Sequence, residues 1–135
     1  MFNCIDTSGT GLNTYQTWID AIANNIANVN TTAPMSGNAF QAEYVQAQAA
    51  PTGPDGVGTG VEVTGILGSS PQGIPTYDPT DPNADATGYV RRPDIDMSQQ
   101  MGDLIMAQRA FQANASVVDR STDVYNSAIN IGKGI

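Results

Sequence analysis

Residues 97–131 read MSQQMGDLIMAQRAFQANASVVDRSTDVYNSAINI, with Gly102 as the one helix breaker in the run. Along it Met97, Met101, Leu104, Gln108, Phe111, Ala115, Val118, Thr122, Tyr125 and Ile129 follow one another at alternating steps of four and three, and all but Gln108 and Thr122 are apolar. A mean step of about 3.5 residues keeps one narrow stripe on a slightly underwound helix, the seam of a coiled coil. Asp96 can cap the start, with Gln99 placed to complete a capping box. Gly132-Lys133-Gly134 ends the helix, and Lys133 suits the negative end of its dipole. A helix of this length needs a partner along its whole seam.

The other end of the chain offers that partner. Leu12, Tyr15, Ile19, Ile22, Ile26 and Val29 repeat the same rhythm, and residues 12–33 contain neither Gly nor Pro. Ser8 and Thr10 are candidate N-caps, and Asn30-Thr31-Thr32-Ala33-Pro34 is a stop. A helix over residues 12–29 would be about 27 Å long.

Residues 32–93 hold nine Gly and eight Pro, which forbids a long helix there. Residues 40–46 and 61–67 have the β-branched and aromatic character of two short strands, with a turn-rich loop at 51–56 between them. The expected fold is mainly α with a small β element. Terminal helical segments, residues 1–33 and 94–135, pair as a coiled coil around a Gly/Pro-rich middle, residues 34–93, that carries a short hairpin-like β region.

Composition excludes more than it suggests. Residues 1–90 carry Asp6, Asp20, Glu43, Asp55, Glu62, Asp78, Asp81 and Asp85 without one Lys or Arg, so the net charge of −8 belongs to that part. Such a surface repels phosphate backbones and anionic lipid, which argues against a nucleic-acid partner. Cys4 is the single thiol and there is no His, so neither an intrachain disulfide nor a Cys/His zinc site can form. The first residues lack the basic and apolar blocks of a cleaved signal peptide, and no transmembrane run is present.

The catalytic and metal motifs fail in turn. Asp81-Pro82-Asn83-Ala84-Asp85 opens like a calcium loop, but Ala86 stands where Gly is needed and Arg92 where the bidentate Glu belongs. Gly56-Val57-Gly58-Thr59-Gly60 lacks the last glycine of a dinucleotide loop. Ser69 and Ser70 have no histidine base, and Asp94 and Asp96 stand where a helix start recruits acids. No cofactor, metal or small-molecule substrate is expected, and an enzyme is the least favoured reading. Arg109, beside the seam, is either a snorkelling surface cation or a charge that selects a helical partner.

Ala23-Asn24-Asn25-Ile26-Ala27-Asn28-Val29-Asn30-Thr31 resembles the N-terminal signature of bacterial flagellar axial proteins, the rod, hook and hook-associated subunits. Gly88-Tyr89-Val90-Arg91-Arg92-Pro93-Asp94-Ile95-Asp96, and the run from Leu104 through Arg109 to Asn114, resemble the C-terminal end of the rod branch. So does the approach from Tyr77 to Asp85, and the chain is too short for a large middle domain. The likeness covers the first 31 residues and the last 60 or so. It departs where Thr14-Tyr15-Gln16-Thr17-Trp18 lacks the family's usual basic residue, and where Gln100 stands at a common Glu position. It implies a structural subunit of the proximal rod in the basal body, spanning the periplasm. Its partners would be other rod and basal-body proteins, copies of itself and the flagellar export apparatus. Another short rod subunit, or a free helical adaptor, remains as an alternative.

Overall fold

A computed structural model describes residues 2–54 and 56–134; Asp55, within the acidic tally above, lies outside them. Helix α1 spans Phe2–Asn28 and helix α2 spans Met97–Lys133. Between them lie four strands: β1 (Glu43–Ala49), β2 (Val61–Gly68), β3 (Ile74–Tyr77) and β4 (Tyr89–Arg92). They form two antiparallel ribbons, β1 with β2 and β3 with β4. The molecule is mainly helical with a small β element.

The helices run side by side and antiparallel. Cys4 meets Ser121, Gly11 meets Asn114 and Asn25 meets Gln100. Seven residues along α1 therefore answer seven along α2, and the next fourteen answer fourteen. The same register sets position 18 of α1 opposite Ala107, which is fully buried, and position 15 opposite Ala110.

Helix α1 begins well before residue 12, and Ser8 and Thr10 lie inside it rather than capping it. Gly9 and Gly11 each disfavour helix by about 1 kcal/mol relative to Ala. Tertiary contact overrides that cost at Gly11, which is buried under the Asn114 side chain. A Cβ there would stand 3.0 Å from Asn114 Oδ1, so any side chain would have to displace the Asn114 amide. At the start of α2 the expectation holds: the Asp96 carboxylate accepts from the backbone N–H groups of Ser98 and Gln99.

The β1–β2 ribbon lies along α1, with a register irregularity between Gln46 and Ala47. At one end Asn25 holds Glu43; at the other the Thr10 hydroxyl accepts from the Val61 N–H. Gly60, with φ of 118°, makes that second docking possible, since a Cβ would collide with the Thr10 hydroxyl. The strand expected at 40–46 begins three residues later, because Ala42 N–H is taken by the Ser69 hydroxyl and Ala42 C=O by Ser69 N–H.

The β3–β4 ribbon is an addition to the expected fold. Four-residue strands, one holding Pro75 and the other two arginines, carry too little pattern to read. Arg91 anchors the ribbon to the end of α1. Its backbone exchanges both hydrogen bonds with Ala33, and its guanidinium donates to the carbonyls of Met35 and Gln72.

The fully buried apolar residues described are Ala21, Ile22, Ala39, Ala42, Val90 and Ala107. Four of these are alanines, so the subunit is held by close backbone approach and by few large side chains. Each of those large side chains then carries an unusual share of the stability.

Counted in the same register, α1 starts opposite residue 123, and residues 126–133 of α2 run on beyond it for about 12 Å. Isolated helix of that length is marginal in water. Hydrogen exchange of the monomer should show protection over most of α1 and residues 100–121, and fast exchange across 126–133. Equal protection along all of α2 would mean that the end of the helix is stabilised without a neighbour.

Candidate assembly surface

The buried stripe of α2 is not the one that apolar periodicity selects. Gln100 and Ala107 are buried, and Asp103, Leu104, Ala110, Phe111, Asn114, Ala115, Val118 and Ser121 are half-buried. Leu104, Phe111, Ala115 and Val118 therefore belong to both stripes. Met97, Met101, Gln108, Thr122, Tyr125 and Ile129 are exposed, so the expected seam drifts out onto the surface of the subunit at these positions. On α1 the agreement is closer: Ile22 is buried, and Leu12, Tyr15, Ile19, Ile26 and Val29 are half-buried.

The stripes diverge because α1 meets α2 through polar and small side chains. Asn25, only 1% exposed, is the node. Its Nδ2 donates to the Glu43 carbonyl (2.9 Å) and to Gln100 Oε1 (3.0 Å), while its Oδ1 accepts from Glu43 N–H (2.7 Å). One amide thus pairs with the β1 backbone as a neighbouring strand would, and ties in α2 as well. Nearby, Asn28 Nδ2 donates to both oxygens of Asn24, and the Thr31 hydroxyl donates to Asn28 Oδ1, closing the end of α1. Ala27 and Asn30 are exposed and take no part in the node.

The C-terminal motif residues divide between docking and surface. Val90 and Pro93 are buried, and Gly88 lets the Tyr77 ring cross edge-on toward Tyr89 at 5.3 Å. Asn114 Nδ2 donates to Ala110 C=O, which turns its Oδ1 over Gly11. Arg109 is exposed and makes no ion pair among the described residues.

The acidic turn is built on its own hydrogen bonds. Asn83 N–H to the Asp81 carboxylate, helped by the Thr32 hydroxyl, holds Asp81 below the usual carboxylate value. The Thr87 hydroxyl, with Tyr89 N–H, does the same for Asp85. Among the described residues no cluster of carboxylates or thiols is arranged to hold a metal.

What remains is surface of one kind. Helix α2 exposes Met97, Met101, Ile105, Met106, Val117, Val124 and Ile131, far more apolar area than a helix in a self-sufficient domain leaves in water. Residues 5–34 match the family model "Flagella basal body rod protein", and residues 86–131 match "Flagellar basal body rod FlgEFG protein C-terminal". The flagellar basal-body rod protein FlgC of Borreliella burgdorferi is 32% identical, over 99% of each chain. Those of Bacillus subtilis and Salmonella typhimurium are 28% and 29% identical, over 98% of each. The chain belongs to the FlgC family of flagellar basal-body rod proteins. A FlgC-family chain is a structural subunit of the flagellar basal body, not an enzyme. The likeness to these relatives runs the full length of the chain, in keeping with the resemblance carried by residues 77–96.

The exposure of Gln108 and Thr122 carries a consequence for the folded subunit. Gln108→Leu with Thr122→Val should shift its unfolding free energy by no more than about 0.5 kcal/mol, since neither side chain leaves water on folding. A chemical-denaturation curve checks this. A gain of about 2 kcal/mol or more would return both residues to the buried seam.

Proposed function

We propose that this chain is a subunit of the proximal rod that assembles through its terminal helices with copies of itself and with other rod proteins, passing torque along the rod. The observation that carries this is the uncovered apolar face of α2 on a subunit whose own core is thin. Helices packed through continuous seams about an axis resist bending and twist as one body. The overhang at 126–133 supports the same reading, because it needs a neighbour to be stable helix. Delivery by the flagellar export apparatus and a place in the rod across the periplasm belong to this proposal.

The test uses a deletion strain complemented with the chain and with the double variant Met101→Glu, Ile105→Glu. Both residues are exposed, so the variant should fold as well as the native chain. The native chain should restore basal bodies with complete rods, visible by electron cryomicroscopy, and the variant should not. Swimming by the deletion strain itself, or complete rods built with the variant, would overturn the reading.

A further inference from the structure

We propose that the trough between α1 and the β1–β2 ribbon receives the arginine-edged apolar stripe of α2 from a second copy of this chain. The inference rests on the reading of the chain as an assembling rod subunit and names one of its contacts. The trough, about 360 Å³, is lined by Thr14, Tyr15 and Trp18 of α1, Val45 and Ala47 of β1, and Val61 of β2. The Tyr15 and Trp18 rings lie 6.2 Å apart along it, and both are half-buried, so water reaches an aromatic surface. Aromatic side chains in such a setting anchor protein interfaces.

Charge selects what can fill it. Residues 1–90 contribute no base, and an acid stands beside the trough. Glu43 shares the face of β1 that presents Val45 and Ala47, whereas Glu62 points to the opposite face of the ribbon, where Gln48 donates to it. An apolar ridge edged with acids is repelled there, and one edged with bases is drawn in.

The chain carries such a ridge. Met106, Val117 and Val124, spaced eleven and seven residues apart, fall on one face of α2 and are all exposed. Arg109 and Arg120 stand one turn after Met106 and Val117, and Arg120 lines a hollow with Val117 and Val124. The other arginines are committed internally, Arg91 to two carbonyls and Arg92 to Asp78 at 3.6 Å. Arg109 and Arg120 make no ion pair among the described residues. Trough and ridge are different surfaces of one molecule, so the contact is head-to-tail and each copy offers both halves of it. Repeated, it generates a ring or an open helical array and not a two-fold dimer.

The experiment uses the purified full chain. Sedimentation should show association at low salt that weakens as salt rises. Arg109→Glu with Arg120→Glu should weaken it at least about tenfold, and Glu43→Lys should weaken it by a smaller factor. All three together should restore part of what the arginine changes remove. Circular dichroism confirms that each variant keeps its helices.

A second measurement fixes the faces. In a Cys4→Ser background, Ala47→Cys chains mixed with Val117→Cys chains should form a mixed disulfide. No association, no rescue by the threefold exchange, or disulfides only between two Val117→Cys chains would each overturn the proposal. Complete rods built in cells from the Arg109→Glu, Arg120→Glu chain would also overturn it. That last result would leave the rod-subunit reading standing.

Discussion

Ile22→Asp should abolish the cooperative unfolding transition of the subunit. Ile22 is 2% exposed and, with Val90, is one of the few large apolar side chains in the core. Its removal forfeits about 2–5 kcal/mol of burial and packing, and an unpaired carboxylate in the same space adds several more. The helix register also sets Asp103, itself acidic and half-buried, across from position 22. Small domains are stable by only about 5–15 kcal/mol, and this one has less core than most. Ile22→Val, which keeps the shape, should cost about 1 kcal/mol and retain the transition. In cells the Asp variant should give no completed rod and no swimming. A melting curve for Ile22→Asp that overlays the native one would show that α1 does not bury this face.

At the polar node, two nearly isosteric changes should have unequal costs. Asn25→Asp replaces the Nδ2 donor with an oxygen, which then faces the Glu43 carbonyl and Gln100 Oε1, two acceptors, without a proton. Lost hydrogen bonds to buried groups cost about 1–3 kcal/mol each, and the added charge has no cation near it. The sum is expected to be about 4 kcal/mol or more at neutral pH. It should shrink under acid conditions, where the carboxyl is protonated and can donate. Gln100→Glu also buries a charge, since Gln100 is 4% exposed, but it keeps an acceptor where Asn25 Nδ2 donates, and charge strengthens that bond. Its loss should be the smaller of the two by about 1–3 kcal/mol for each hydrogen bond that Asn25→Asp breaks. Denaturant titrations of the two variants decide the matter. Equal losses at both positions would mean that the amide orientation at Asn25 is reversed.

Much of this is legible in the chain itself. The uninterrupted helical run at each end, the Gly and Pro density between them and the cap at Asp96 are local, short-range signals, and they specify two helices flanking a broken middle. The lack of His and the single Cys4 remove most catalytic chemistry by composition alone. The asparagine-rich string at 23–31 and the Gly88–Asp96 string point to the family.

Which face of each helix turns inward is decided only in three dimensions. A four-three rhythm fits two neighbouring stripes of α2, one through Met101 and Gln108 and one through Gln100, Ala107 and Asn114. Hydrophobicity favours the first. Packing selects the second, because Gly11 and the buried Ala107 let the backbones approach, and because Asn25 finds its amide partner in Gln100. The early start of α1 and the β3–β4 ribbon have the same cause. Their local propensities are weak, and contacts to Asn114, Ala33 and Gln72, far away in sequence, supply what the neighbouring residues do not.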